Sequence, residues 1–150
     1  MLGKLATYLR MCGYDAAYAL DRGIERDEAL LAVARDENRI LLTRDRSLAD
    51  RAAAESNGET LPGSVLLFER EVTDQLRELL DVGFDLSLAD RPTRCGRCNG
   101  QFERPTSDAS RPEYVPEQDP VWRCRDCEQW FWKGSHWDDV AARLEDVRTG

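Results

Sequence analysis

Cys95-Gly96-Arg97-Cys98 and Cys124-Arg125-Asp126-Cys127 form two C-x-x-C pairs with 25 residues between them. Four thiolates at this spacing close a tetrahedral shell around Zn²⁺, each pair presenting two sulfurs from one tight turn. Two disulfides are the competing use of the same residues, favoured in secreted chains. The N-terminal sequence lacks the charged-then-apolar pattern of a secretion signal, so a reducing cytoplasm and structural zinc are expected. Gly96 is expected to give the first turn a positive φ, with Asn99-Gly100 turning the chain again. A shell of four cysteines has no open coordination position, so such a site builds a surface and catalysis has to come from elsewhere. The remaining cysteine, Cys12, lies in an apolar helical context that suits a small core residue better than a nucleophile.

Asp45 and Asp27 are the candidate catalytic carboxylates. Asp45 follows the apolar run Arg39-Ile40-Leu41-Leu42-Thr43 and is flanked by Arg44 and Arg46, while Asp27 opens the amphipathic stretch before that run. Function in open α/β sheets lies beyond the carboxyl ends of the strands. Two carboxylates converging there can hold Mg²⁺ or Mn²⁺, which polarises a phosphate and activates water for in-line attack. Neighbouring arginines would grip the backbone of a phosphodiester. Local roles compete with this one. Asp27 as a plain helix cap, worth ~1 kcal/mol, is the better reading of the pattern alone, and Asp45 is equally suited to capping a helix that starts near Ser47. Arg44 and Arg46 also read as solvated charges, and Arg10 as the partner of a carboxylate. His136, the single histidine, stands near Trp132 and Trp137 and suits packing more than base catalysis. The Trp130/Trp132 alternation suits packing in a zinc ribbon more than a base-stacking platform.

The elements that must position these residues follow from periodicity. Leu2, Leu5, Ala6, Leu9 and Cys12 recur at helical spacing, with Gly13 as the stop. Tyr14 to Leu20 reads as a short strand. Asp27 to Asn38 is a helix with Leu30, Leu31, Val33 and Ala34 inward, and Arg39 to Thr43 a strand buried on both faces. Ser47 to Ser56 is a helix closed by Asn57-Gly58, Ser64 to Phe68 a second buried strand, and Val72 to Asp81 a helix. Helices and strands in alternation predict an α/β parallel sheet of right-handed units. Gln101 to Pro120 reads as a loop or loose hairpin, Trp130 to Trp132 as an aromatic strand, and Trp137 to Val147 as a closing helix.

A chain of 150 residues holds one core, or a core of about 90 residues plus a metal-stapled module. The expected division is 1–90 for the α/β domain and 91–150 for the ribbon with its closing helix. No apolar run approaches the ~20 residues that span a bilayer, so no membrane partner is expected. The formal net charge of −8 opposes non-specific binding to nucleic acid. Lysine, however, occurs only at Lys4 and Lys133. An acidic, lysine-poor chain resembles adaptation to a salty cytoplasm, where repulsion is screened to about 3 Å at 1 M and local arginines still meet phosphate.

Met1-Leu2-Gly3-Lys4-Leu5-Ala6, Leu9-Arg10 and Gly13-Tyr14-Asp15 resemble the opening of the Mut7-C RNase domain, a PIN-like nuclease fold with an appended zinc ribbon. Leu41 to Arg46 is similar to its central motif. Arg94-Cys95, Cys98-Asn99, Cys124 and Cys127 are similar to its ribbon, and Trp132 with Gly134-Ser135-His136-Trp137 to its closing signature. The resemblance implies a sheet-rim acidic site, a divalent metal and hydrolysis of RNA phosphodiesters. It maps Asp45 and Asp27 to the acidic positions, and it places Lys4, Arg10, Arg44, Arg46 and His136 near the RNA. It also implies a strand before the Met-Leu-Gly segment that delivers a further Asp. This sequence starts inside that segment, so the expected sheet lacks its first strand and the metal site one ligand. A non-catalytic RNA- or ribosome-binding ribbon module is the alternative expectation.

Overall fold

The computed structural model describes residues 2–55, 63–106, 110–117 and 120–150. By contact the chain forms two compact units, Tyr18–Gly83 and Met1–Ala17 with Phe84–Gly150. The division at residue 90 remains a proposal about folding domains. By contact, the first helix groups with the cysteine-bearing residues rather than with the parallel sheet.

In the unit Tyr18–Gly83, a 3₁₀ turn (Ala19–Arg22) precedes α2 (Asp27–Asp36), β1 (Leu41–Thr43), α3 (Arg46–Glu55), β2 (Ser64–Leu66) and α4 (Val72–Asp81), α1 (Gly3–Met11) belonging to the other unit. β1 and β2 pair in parallel, Leu41 opposite Ser64 and Thr43 opposite Leu66. The helix between them supplies the long crossover that parallel pairing requires. Leu31 of α2, Leu41 of β1, and Leu48 and Ala52 of α3 form one buried cluster, with Leu30 packed against it. α2 stops where Asn38 adopts φ 53°, and Arg39 N–H reaches back to Ala34 O at 2.8 Å. Asparagine tolerates this left-handed geometry, and the bond satisfies a carbonyl the helix end would leave bare. The Glu78 carboxylate of α4 accepts from the N–H groups of Phe68 and Glu69 at 2.8 and 3.2 Å, tying the helix to the chain leaving β2.

In the other unit, α1 (Gly3–Met11) buries Leu5, Ala6, Tyr8, Leu9, Arg10 and Met11. Gly13, at φ 94°, ends it as expected, and Tyr14 N–H closes back on Leu9 O at 3.0 Å. β3 (Phe102–Glu103), β4 (Val121–Cys124) and β5 (Trp130–Trp132) make an antiparallel sheet in the order β3-β4-β5. Val115, Val121 and Trp130 pack under it, with Trp132 against them. α5 (Ser135–Thr149) buries Val140, Leu144 and Val147. Arg143 of α5 donates to the Tyr8 hydroxyl of α1 at 2.8 Å.

Three expectations change. Tyr14 to Leu20 is not a strand, because side chains have taken its backbone groups. Asn99 Oδ1 accepts from Ala16 N–H at 3.0 Å, and Arg10 Nε donates to Ala16 O at 2.8 Å. The parallel sheet accordingly has two strands among the described residues. The closing helix starts at Ser135 rather than Trp137, and α3 starts at Arg46. The expected stop of α3 at Ser56 and Asn57-Gly58 lies outside the described residues, as does Met1.

Candidate metal centre and acidic rim

The two cysteine turns are copies of one another. Cys95 N–H donates to Gly100 O and Asn99 N–H to Cys95 O, both at 2.8 Å. Cys124 N–H donates to Gln129 O at 2.8 Å and Glu128 N–H to Cys124 O at 3.1 Å. The residue after each second cysteine carries the positive φ, 71° at Asn99 and 63° at Glu128. Gly96 is not among the positive-φ residues, so the expectation for it is corrected. Gly100 is needed for space instead: a Cβ there would sit 2.6 Å from Asp126 Oδ2 and 2.8 Å from Cys124 Sγ.

The turns bring all four Sγ atoms within 4.8 Å of one another. Cys95 and Cys127 Sγ lie 3.7 Å apart, Cys98 and Cys124 Sγ 3.5 Å. Disulfide sulfurs lie about 2.05 Å apart, so these are thiols. Zn–S bonds of about 2.3 Å put tetrahedral sulfurs about 3.8 Å apart, and this donor set fits such a metal. Without a metal, burial pushes the Cys95 thiol up to about 12 and also raises Cys98. Burial opposes ionisation of Cys124 too, but the N–H groups of Cys127 and Asp126 and the thiols of Cys98 and Cys127 outweigh it and lower that group. A cation that replaces the protons relieves this cost, so metal and local structure stabilise each other. Cys12, pushed to about 11 by burial and then by Asp85, is an inert thiol.

Asn99 does more than turn the chain. Its Nδ2 donates to Asp15 Oδ1 at 2.7 Å while its Oδ1 holds Ala16, and Arg94 lies 3.8 Å from Asp15. Thr7 Oγ1 and Arg10 Nη1 both donate to Gly96 O, at 3.2 and 2.9 Å. These bonds fasten α1 and the segment after it to the first cysteine turn. Arg10 is only 4% exposed and donates to the carbonyls of Ala16 and Gly96. The sequence offered one signal for Asn99, its place directly after a second cysteine, where left-handed geometry recurs.

Asp45 stands exposed just past the carboxyl end of β1. Its Oδ1 accepts from Leu48 N–H at 3.1 Å, and its own N–H donates to Thr43 Oγ1 at 3.1 Å. It therefore caps α3 and keeps its second oxygen for other work. Asp27 is the first residue of α2, exposed, and makes no capping bond, so the plain capping role expected for it is not the one it has. Arg44 reaches Phe68 O at a long 3.4 Å, and its Nε is buried without a hydrogen-bond partner among the described residues. Arg46 is exposed at the first turn of α3. Among the described residues, the four cysteines are the one group of three or more His, Cys, Asp or Glu gathered closely enough for a metal.

A cavity of about 270 Å³ opens between α1, the first cysteine turn, β5 and the start of α5. Arg10 and His136 both line it, so two expected RNA contacts share one wall system. Lys4 is exposed on α1 and is not among the lining residues. Arg94, Arg97, Gln129 and Trp137 line the cavity too; Arg94 and Trp137 stand in the motifs that carry the family resemblance, and no sequence signal marks any of the four for a binding role.

A small parallel sheet, joined in one chain to a four-cysteine centre consistent with a zinc ribbon, defines a mixed α/β protein with a candidate metal-binding module. The model of the Mut7-C RNAse domain matches residues 1–144, and the chain belongs to that family. The match extends across both the parallel sheet and the cysteine turns. No curated protein and no solved structure matches the chain. No helix among the described residues is long and apolar enough to cross a membrane.

Proposed function

We propose that this chain is a metal-dependent ribonuclease that hydrolyses RNA phosphodiester bonds at the β1 rim. Family membership carries the reading, and Asp45 supports it as an exposed carboxylate at the position where open α/β sheets do chemistry. Its free Oδ2 and the uncapped carboxylate of Asp27 are the oxygen donors for Mg²⁺ or Mn²⁺. Two carboxylates suit an ion whose shell is completed by water and substrate phosphate. Such an ion, when bound, supplies charge neutralisation and an acidified water. The chain's own residues then orient the substrate: Arg44 and Arg46 stand beside Asp45 as donors to phosphate oxygens. The loosely bonded Arg44 guanidinium has hydrogen-bonding capacity to spare. The cysteine centre holds a resident zinc with a structural role.

The second reading is an RNA-binding module without catalysis. It is favoured by the capping duty of Asp45 and by the absence of a cluster of three or more metal-binding groups at the rim among the described residues. Cleavage of single-stranded RNA at high salt with Mn²⁺ separates the two. The ribonuclease reading expects cleavage by the parent chain and at least a hundredfold loss in Asp45→Asn. Zinc-loaded, folded parent protein that binds RNA but leaves it intact supports the binding module instead.

A further inference from the structure

We propose that the cavity beside the first cysteine turn is a binding site for one unpaired nucleotide of single-stranded RNA, separate in its residues from the acidic rim. The proposal rests on RNA being the ligand, as in the reading above. In a chain of net charge −8, this cavity is lined by Arg10, Arg94, Arg97 and His136 and by no Asp or Glu. Asp15 is not among the lining residues; it accepts from Asn99 Nδ2 at 2.7 Å and lies 3.8 Å from Arg94. Such a pocket concentrates positive potential where the rest of the surface repels a polyanion.

Two further features select a nucleotide over a bare anion. Phe131 and Trp137 meet edge to face with centroids 5.8 Å apart, forming an aromatic corner against which a base can stack. Gln129 lies on the same wall, and its Oε1 accepts from Arg97 Nη1 at 3.2 Å. Its amide offers the paired donor and acceptor that read a base edge, and the bond holds the exposed Arg97 guanidinium in place for phosphate. At about 270 Å³ the space is at the small end of ligand pockets, which suits one nucleotide. A base inside a duplex cannot enter such a recess, so the strand has to be unpaired. Zinc matters here only as scaffold: Arg97 sits inside the first cysteine turn, and metal loading sets where that guanidinium stands.

The test measures binding of a fluorescent oligouridylate and oligoadenylate to full-length, zinc-loaded Asp45→Asn protein across a salt series. Arg97→Gln is expected to weaken both about tenfold and to lower the slope of log affinity against log salt by about 1. Trp137→Leu is expected to weaken binding about 5- to 100-fold through lost stacking, and RNA is expected to quench Trp137 fluorescence in the parent. Should Trp137→Leu lose zinc or melt early, the exposed-residue variants Arg97→Gln and His136→Gln decide alone. Unchanged affinity and salt slope in Arg97→Gln and His136→Gln, with zinc retained, overturns the proposal. If those variants bind as the Asp45→Asn parent does and, made in the chain that keeps Asp45, cleave as that chain does, the cavity site falls while the ribonuclease reading stands. If they lose binding and no form cleaves RNA, the cavity site stands and the ribonuclease reading falls.

Discussion

The cysteine centre and the acidic rim are built on opposite plans. The cysteine centre draws two ligands from each of two matching turns, and every turn is closed by its own backbone bonds. The rim offers one exposed carboxylate past the end of β1, Asp45, which also caps a helix, and its proposed partner Asp27 belongs to a separate element, α2. A site made of local turns is hard to misplace and costly to lose. A site assembled across elements can be altered one side chain at a time with little effect on folding. The two regions therefore should respond differently to mutation, and that difference can be broken or sharpened directly.

The largest effect is expected at the cysteines. Cys124→Ser should lose zinc and destabilise the unit carrying the ribbon by several kcal/mol, since metal binding there is folding free energy. Hydrogen exchange should show protection of Leu41–Thr43 retained. A full equivalent of zinc and an unchanged melt in this variant would defeat the metal assignment. Gly100→Ala should come next, at about 1–3 kcal/mol with weakened zinc retention against a chelator, because the added Cβ meets Asp126 Oδ2 at 2.6 Å. Asn99→Ala should cost about 1–2 kcal/mol through its lost bonds to Asp15 and Ala16 and its φ of 71°. Asn99→Gly separates these causes, since it keeps the turn and loses only the bonds.

At the rim the expected costs are smaller. Asp45→Ala should cost about 1 kcal/mol as a lost cap, whereas Asp45→Asn keeps the cap and should leave the melt nearly unchanged. Equal destabilisation by both would show that charge, and not capping, holds Asp45 in the fold. The smallest effect concerns Glu37, whose carboxyl is held down to about 2, first by its hydrogen bonds to Arg22 and Arg39. Its folded value lies below the ordinary 4.5, so its contribution is present above that value and is lost as pH falls toward 2. Carboxyl-resolved NMR should see Glu37 titrate near 2, and the titration should move up in Arg22→Gln. Solvent screening at this surface position limits its effect on stability.

Much was legible because it is local. The 3.6-residue spacing and Gly13 placed α1 and its stop, Val72 to Asp81 emerged as α4 at its expected bounds, and the cysteine spacing located a cluster of four thiols able to hold a metal. Asp45 was balanced between cap and ligand in the sequence, and the Leu48 bond shows that it caps, while its second oxygen stays available. Tyr14 to Leu20 failed as a strand for a reason no window of sequence contains. Alternation of apolar residues favours an extended segment, but a strand also needs a partner for its backbone, and here Asn99 and Arg10 took that place.

By itself, the sequence determined the four cysteines that cluster, the stop of α1 at Gly13 and the alternation of helices and strands from α2 to α4, because turns, caps and periodicities are set by neighbours within a few residues. Only the tertiary structure decided that Arg10 is buried against Gly96 and Ala16, that Asn99 is a fastening point, and that three arginines, a histidine, two phenylalanines and a tryptophan surround one cavity. The bonds of Thr7 and Arg10 to Gly96 and of Ala16 to Asn99 each join groups more than eighty residues apart in the chain. Contacts at that range are chosen by shape, burial and hydrogen-bond satisfaction across the whole fold, which a linear pattern does not encode position by position.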